Sequence, residues 1–261
     1  MKLSDHRDIP KAKRIVVKVG SSSITGANQD NLDLLVEAIA KATSNGQEIV
    51  LVTSGAIATG LPLLNFTEKP TDLATKQALA SVGQSKLMGR YEASLERFNI
   101  VAGQVLLTAG DFEQADTSEN ASKAIDRLLD LKVVPIVNEN DTVATQEIAF
   151  GDNDRLASLV AVLVKADALV LLSDVDALYD RPPTEPGSQK IEWVEPEDDL
   201  STIKIGGSAS NVGTGGAETK LEAAKYAREY GVTVLLTSID NAAAVLSGER
   251  VGTWFQAKET K

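Results

Sequence analysis

Six short apolar runs alternate with longer segments of helical periodicity along this chain. The runs are RIVVKV (14–19), EIVLVT (48–53), IVAGQVLLT (100–108), VVPIVN (133–138), ALVLLS (168–173) and VTVLLT (232–237). They are apolar at consecutive positions, which is typical of strands buried on both faces in a parallel sheet. The pattern therefore predicts a doubly wound α/β fold, in which helices sandwich a mostly parallel central sheet.

Four segments between these runs have the spacing of amphipathic helices. They are NLDLLVEAIAKATSNG, a long segment from about Thr71 to Phe98, SENASKAIDRLLDLK and AETKLEAAKYAREYG. Gly46 and Gly231 follow the first and the last of them, at a position where glycine commonly ends a helix. The long segment has more small and apolar positions than one buried face uses, so we expect a homodimer or a homotetramer.

Two segments, residues 179–189 and 206–216, are rich in loop-forming residues, proline and glycine above all. Both are expected to be mobile surface loops that act as lids. No internal repeat or linker divides the chain. We therefore expect a single domain, residues 1–261, with an N-terminal lobe of about 1–165 and a C-terminal lobe of about 166–261.

The amino-acid composition of the chain limits the kinds of catalysis and the partners that are possible. The chain of 261 residues has no cysteine and one histidine, His6, which lies in a polar N-terminal segment. Disulfides, thiolate catalysis and Cys-ligated zinc are thereby excluded, and most imidazole chemistry with them. The net charge of −11 argues against a nucleic-acid partner, and no apolar run is long enough to cross a membrane. The first residues lack the apolar core of a secretory signal, so we expect a cytoplasmic protein.

Small and polar residues collect after the predicted strands. These segments are KVGSS (18–22), TSGA (53–56), NENDT (138–142), GDND (151–154), SDVDALY (173–179) and GTGGAETK (213–220). Because ligands of open α/β sheets bind beyond the carboxyl ends of the strands, the segments predict a binding site at one edge of the sheet.

Two lysines in these segments are candidates for binding phosphate. Lys18 interrupts an apolar strand, where a buried ammonium group is costly without an anionic partner. Gly215 and Gly216 precede a helix whose free N–H groups would attract an anion, and Lys220 lies one turn further on. The alternatives are a lysine that reaches solvent at a strand end and an exposed helical lysine after a flexible turn. Neither a Walker loop nor a G-x-G-x-x-G motif after the first strand is present.

A second group of polar residues contains carboxylates and amides. Asn138 and Asp141 lie about a dozen residues before Asp152, Asn153 and Asp154. Acidic residues at the start of a helix are often simple caps, and that interpretation stays open here. The group contains more carboxylates and amides than capping requires, so it also fits a ligand ammonium group, a metal ion or lysines that need orientation.

Eight segments resemble, in chain order, the glutamate-phosphorylating branch of the amino acid kinase family. They are VVKVGSSSIT, IVLVTSGAIATG, KQALASVGQSKLM, VVPIVNENDTVA, FGDNDRLASLVA, LLSDVDALY, GTGGAETKLEAA and VGTWF. The resemblance implies phosphorylation of the γ-carboxylate of L-glutamate by ATP with Mg²⁺. The product would be L-glutamyl 5-phosphate, which is formed in the first step of proline biosynthesis.

The resemblance also assigns roles to individual residues. Lys18 and Lys220 correspond to a catalytic pair that binds phosphate, and Asp154 to the carboxylate that holds both lysines. The implied glutamate-binding residues are Ser54, Asn138, Asp141, Asp152 and Asn153. The implied nucleotide-binding residues are Lys18, Ser173, Asp174, Thr214, Gly215, Gly216, Ala217, Glu218, Thr219 and Lys220. The resemblance assigns no protein side chain as a metal ligand. It implies that the N-terminal lobe binds the acid and that the C-terminal lobe binds the nucleotide.

The composition of the chain suits this reaction. A phosphoryl group in transfer spreads negative charge over its oxygens, so catalysis depends mainly on positioning and on cationic and amide stabilisation. The accepting carboxylate has an ordinary pKa of about 4.3 and is ionised at neutral pH, so it needs no general base. A chain with one histidine can therefore catalyse this transfer.

The chain departs from its branch in two respects that bear on regulation. Many relatives continue into a C-terminal domain of the PUA type, which we do not expect here because the chain ends soon after VGTWF. Proline commonly inhibits the branch, and Phe150 stands where some relatives carry a polar residue, so proline inhibition is a hypothesis.

Two alternative functions remain on sequence grounds. One is another enzyme of the same family that acts on a different small carboxylate or phosphate. The other is a non-catalytic amino-acid sensor with the same fold. The presence of Lys18, Asp154 and Lys220 together favours an enzyme.

Overall fold

The computed structural model describes residues 3–144, 153–198 and 216–259. The strands in these ranges are β1 (Arg14–Val19), β2 (Glu48–Val52), β3 (Val101–Leu107), β4 (Val133–Glu139), β5 (Ala168–Ser173), β6 (Leu178–Tyr179), β7 (Lys190–Ile191), β8 (Trp193–Val194), β9 (Thr233–Ser238) and β10 (Thr253–Phe255). The helices are α1 (Ser21–Ile24), α2 (Asn31–Ser44), α3 (Ala56–Leu63), α4 (Leu73–Glu96), α5 (Ala109–Glu113), α6 (Ala115–Asp130), α7 (Asn153–Leu163), α8 (Ala217–Glu229) and α9 (Ala242–Leu246). Short 3₁₀ turns span His6–Lys11, Gly26–Asn28 and Ile239–Asn241.

Eight strands form one sheet in the order β3, β4, β2, β1, β5, β9, β10, β8. Neighbouring strands from β3 through β9 are parallel. Strand β10 runs antiparallel to β9 and parallel to β8. The predicted α/β fold with a mostly parallel sheet is confirmed, and β1 lies near the middle of it.

Helices cover both faces of the sheet, and alternate residues of β1 face the two sides. Val17 belongs to the core packed by α2 and α4, whereas Val16 belongs to the core packed by α7 and α8. Successive side chains of a strand point to opposite faces. Lys18 therefore projects on the same side as Val16, toward the helices α7 and α8.

Strand β3 differs from its prediction. The sequence indicates a strand buried on both faces, but β3 is an edge strand in which Val101 is 64% exposed and Gln104 is also exposed. Sequence periodicity reports the chemistry of a strand and carries no information on its place in the sheet, which is why this expectation is wrong.

Helices α3 and α4 pack at unusually close range through two glycines. A Cβ atom on Gly83 would collide with the backbone carbonyl of Ala56, and one on Gly60 with that of Leu79. The long segment after Thr71 forms α4 as predicted, while α3 was not anticipated. This contact holds α4 against α3, which begins shortly after β2 ends.

The segment 179–189 is more ordered than its composition indicates. It connects the antiparallel strands β6 and β7, and Asp180 N–H donates to the Gln189 carbonyl over 3.1 Å. The N–H of Gln189 donates in turn to Asp180 Oδ1 over 2.8 Å. These contacts make the segment the loop of a β-hairpin. Of the second predicted loop, residues 206–216, only Gly216 lies within the described residues.

The prediction that His6 lies in a polar tail is wrong. His6 is 3% exposed, and its ring centroid lies 4.9 Å from that of Trp254 and 6.3 Å from that of Trp193. The two tryptophan rings stack on each other at 5.3 Å. Burial lowers the pKa of His6 below its ordinary value of 6.5, because it disfavours the charged imidazolium.

Acidification is expected to destabilise the fold through His6. Its pKa is lower in the folded chain, so the unfolded chain binds more protons once the pH falls below about 6.5. The stability contributed by the neutral ring is present above that pH and is lost below it. Trp193 and Trp254 are the only tryptophans, so their fluorescence reports this cluster during urea unfolding. We expect a steeper fall of the unfolding midpoint between pH 7 and 5 in the wild type than in His6→Gln; parallel curves would contradict this.

Candidate active site

The carboxyl end of β1 meets the amino ends of α7 and α8. Lys18 is the penultimate residue of β1, Asp154 is the second residue of α7, and Lys220 lies in the first turn of α8. Strand parity directs Lys18 toward these two helices, as described above. Residues more than 200 positions apart in the chain, Lys18 and Lys220, are thus brought to one place.

Both ammonium groups contact the carboxylate of Asp154, one on each oxygen. Lys18 Nζ lies 2.6 Å from Oδ1, and Lys220 Nζ lies 3.1 Å from Oδ2. The exposed fractions of Lys18, Lys220 and Asp154 are 1%, 7% and 0%. The three side chains therefore form a buried cluster, which we call the lysine–aspartate cluster.

Two cationic side chains and one anionic side chain meet in the lysine–aspartate cluster. Both ammonium groups face the one carboxylate of Asp154. Buried charge is costly unless it is paired and hydrogen-bonded, and the amino end of a helix adds further positive potential. Two lysines beside a helix N-terminus suit an anionic ligand such as a phosphate group.

Thr219 links the first turn of α8 to the same carboxylate. Its hydroxyl lies 3.0 Å from Asp154 Oδ2 and 2.9 Å from the Gly216 carbonyl oxygen. This double contact sets the start of α8 relative to α7. The position of Lys220, the next residue, follows from it.

A cluster of amide side chains lies beside the lysine–aspartate cluster. Asn153 Nδ2 donates to the Thr53 carbonyl over 2.5 Å and to Asn138 Oδ1 over 2.7 Å. Asn138 Nδ2 donates to Gln84 Oε1 over 2.7 Å, and its Oδ1 accepts from the N–H of Glu139 over 2.9 Å. Since Asn153 precedes Asp154, these bonds hold the start of α7 against the ends of β2 and β4.

Asp141 lies half-buried just beyond β4. Burial, reinforced by the negative charge of Glu139, raises the pKa of Asp141 from 3.8 to about 7, and Lys69 opposes this rise. A cationic group placed beside Asp141 would restore the ionised form. The position suits a ligand that carries an ammonium group.

The other predicted residues that the structure describes lie at the same edge of the sheet. Ser54 is half-buried between β2 and α3. Ser173, at the end of β5, donates its hydroxyl to Asp174 Oδ1 over 2.9 Å, and Asp174 is exposed. Ala217 and Glu218 begin α8 after Gly216. Asp152, Thr214 and Gly215 lie outside the described residues.

Sequence reasoning missed Thr53 and Gln84. Thr53 is fully buried; its carbonyl accepts from Asn153, and its hydroxyl lies 2.8 Å from the Tyr91 hydroxyl. Its position before Ser54 in TSGA was the available signal. Gln84 lies on a helix 54 residues before its partner Asn138, and no spacing rule connects the two.

In the described ranges, no group of three or more His, Cys, Asp or Glu side chains is arranged to hold a metal ion. No helix in those ranges has the length and apolar character needed to cross a bilayer.

Comparison with known proteins identifies the class. Residues 13–238 match the amino acid kinase family, and the chain belongs to this family. It is 61% identical over 247 residues to a protein of Clavibacter sepedonicus named glutamate 5-kinase, with 95% of each chain covered. It is 58% identical over 262 residues to the glutamate 5-kinase of Leifsonia xyli subsp. xyli, covering 100% of this chain and 97% of the relative. The resemblance found in the sequence is confirmed.

The fold is also similar to a solved structure, carbamate kinase from Giardia lamblia bound to AMP-PNP. The TM-score is 0.68 at 16% identity, with 95% of this chain and 100% of the other covered. At this identity the likeness establishes the fold alone.

Proposed function

We propose that this chain transfers the γ-phosphoryl group of ATP to the γ-carboxylate of L-glutamate, which is glutamate 5-kinase activity and the first step of proline biosynthesis. The observation that carries the proposal is the pair of buried ammonium groups on Asp154. The high identity to proteins named glutamate 5-kinase supports the choice of acid. The product is L-glutamyl 5-phosphate, an acyl phosphate.

Lys18 and Lys220 bind the phosphoryl group during transfer. Lys18 is fixed on a central strand and Lys220 on the first turn of α8, so their ammonium groups are preorganised before the substrates bind. The negative charge on the transferring oxygens is stabilised by these cations and by the N–H groups at the start of α8. Asp154 acts through the two lysines, since it holds both in position.

The described residues of the proposed glutamate site lie around the ends of β2 and β4. Ionised Asp141 pairs with the α-ammonium group of the amino acid, which gives a charge-assisted hydrogen bond. Asn138, Asn153 and Ser54 orient the rest of the substrate, together with Asp152. The N-terminal lobe thus binds the acid, and residues 173–174 and 214–220 of the C-terminal lobe bind the nucleotide.

Glutamate binding is expected to weaken as the pH falls through about 7. Below the raised pKa of Asp141 its carboxyl is protonated and loses the attraction for the ammonium group. The KM for glutamate should therefore rise from pH 8 to pH 6, while the KM for ATP changes little. In Asp141→Asn the KM for glutamate should be high at every pH. A wild-type KM for glutamate that stays flat over this range would contradict the assignment.

The pH dependence of stability contributed by Asp141 is opposite to the pH dependence of glutamate binding, which strengthens as the pH rises. Its folded pKa of about 7 exceeds the ordinary 3.8, so between these values the folded chain binds more protons than the unfolded chain. The contribution of Asp141 to stability therefore falls as the pH rises through this window.

The proposal is tested by ADP release in the presence of ATP and a panel of acids: L-glutamate, L-aspartate and N-acetyl-L-glutamate. Hydroxylamine traps any acyl phosphate as a hydroxamate. We expect turnover with L-glutamate and little with the acetylated acid, which lacks the ammonium partner of Asp141. A preference for another acid would indicate a different enzyme of the family, and binding without ADP release would indicate a sensor.

Several finer features belong to the proposal. Mg²⁺ would accompany ATP and be held mainly by phosphate oxygens and water, as is usual for this ion at nucleotide sites. We further propose a cytoplasmic homodimer or homotetramer, with proline as a feedback inhibitor at the glutamate site.

A further inference from the structure

Four amide side chains form a continuous hydrogen-bonded chain from the surface to the glutamate-binding residues. It begins at Gln104 on the edge strand β3, whose Oε1 accepts from Gln84 Nε2 over 3.0 Å. It continues through Gln84 on α4 and Asn138 on β4 to Asn153 on α7, with 2.7 Å at each step. We call this the amide chain.

The amide chain has a defined polarity. Each amide group has two hydrogens and one oxygen to offer. Asn153 uses both hydrogens, one on the Thr53 carbonyl and one on Asn138 Oδ1, so it has only its oxygen left for a ligand. Asn138 accepts two bonds at its oxygen and gives one hydrogen to Gln84, so it has one hydrogen left.

This polarity suits an amino-acid ligand. An amide oxygen accepts from an ammonium group, and an amide hydrogen donates to a carboxylate. If Asn138 turned its NH₂ group toward Asn153, it would lose the bond from the Glu139 N–H and oppose the NH₂ group of Asn153. The oxygen of Gln84 opposes that rotation, because it accepts from Asn138 in the observed orientation only.

Gln84 is well placed to fix this orientation. It is half-buried on α4, directly after Gly83, where α4 and α3 are in backbone contact. A side chain on a tightly packed helix is positioned precisely, because the backbone that carries it moves little. Its outer partner Gln104 is exposed and directs the NH₂ group of Gln84 away from Asn138.

We propose that Gln84 is a positioning residue that, together with the Glu139 N–H and the Thr53 carbonyl, sets the polarity of Asn138 and Asn153 and thereby the affinity for the amino-acid substrate. The proposal rests on the glutamate kinase activity described above. It assigns to α4 a role in substrate binding, although Gln84 acts through Asn138 and needs no contact with the substrate.

Kinetics of Gln84→Met and Gln84→Glu test the proposal. Methionine removes the acceptor for Asn138, so the KM for glutamate should rise by about tenfold, while the KM for ATP stays within about twofold. Glutamate at position 84 keeps an acceptor, and exposed Gln104 is free to rotate and donate to it. This variant should recover a KM for glutamate within about threefold of the wild type.

Lys86→Met is the matched control, because Lys86 is exposed on the same helix and the substitution introduces the same side chain. Its KM values should equal those of the wild type. If Gln84→Met does not fold, Gln84→Ala provides the same test with the residue that best favours a helix. An unchanged KM for glutamate in Gln84→Met, or in Gln84→Ala where that variant replaces it, would overturn the proposal. An equal rise of the KM for glutamate in Gln84→Met and Gln84→Glu would also overturn it. A wild-type chain that releases no ADP with glutamate would instead overturn the proposed function, and this inference with it.

Discussion

We expect the replacement of Lys18 or Lys220 with methionine to lower kcat by a factor on the order of 10² to 10³, because it removes one preorganised donor to the transition state. Each lysine contacts one oxygen of Asp154, so either substitution leaves the carboxylate in contact with the other ammonium group. The variants should therefore fold, and their loss should lie in turnover. ADP release under saturating ATP and glutamate measures kcat, and urea unfolding measures stability.

Lys41→Met is the control for this experiment, because Lys41 is exposed on α2. It should keep wild-type kcat and stability. Near-normal turnover in Lys18→Met or Lys220→Met would remove that residue from the mechanism. A variant that is simply unfolded would show a lost urea transition, which separates that result from a catalytic loss.

Asp154→Asn has the largest expected effect on stability. It leaves two buried ammonium groups without the carboxylate that both contact. Removing one partner of a buried ion pair typically costs about 3–5 kcal/mol of unfolding free energy, because a charge remains buried and unpaired. Turnover should also fall, since both lysines lose the carboxylate that orients them for phosphoryl transfer.

ATP should restore part of the stability lost in Asp154→Asn, because its phosphates supply negative charge to the same two lysines. We therefore expect ATP with Mg²⁺ to raise the unfolding midpoint more in this variant than in the wild type. Asp126→Asn is the control, since Asp126 is a 48% exposed partner of Arg14 and such a pair contributes about 1 kcal/mol or less. Equal unfolding free energies for Asp154→Asn and the wild type would contradict a charged cluster.

Most of the strands and part of the candidate site could be predicted from the sequence. The runs 14–19 and 168–173 coincide with β1 and β5, because continuous apolar runs with flanking polar residues leave few other solutions. The position of Lys18 in such a run signalled an unusual environment. Strand parity then determined which face of the sheet it occupies.

Contacts between segments that are distant in the chain could not be predicted from sequence patterns. Nothing in the sequence around Gln84 distinguishes it from other polar helical residues. Its amide group reaches Asn138 only because α4 packs closely on α3. His6 was misplaced for the same reason, since its polar neighbours along the chain say nothing of the two tryptophans that enclose it. The exposure of β3 likewise depends on strand order, which the periodicity does not encode.

The most direct test is a crystal structure of the wild-type chain with L-glutamate and a non-hydrolysable ATP analogue. We expect the terminal phosphate within hydrogen-bonding distance, about 3 Å, of the Nζ atoms of both Lys18 and Lys220, with the γ-carboxylate of glutamate facing it. A terminal phosphate bound away from these two ammonium groups would contradict their proposed role in transfer.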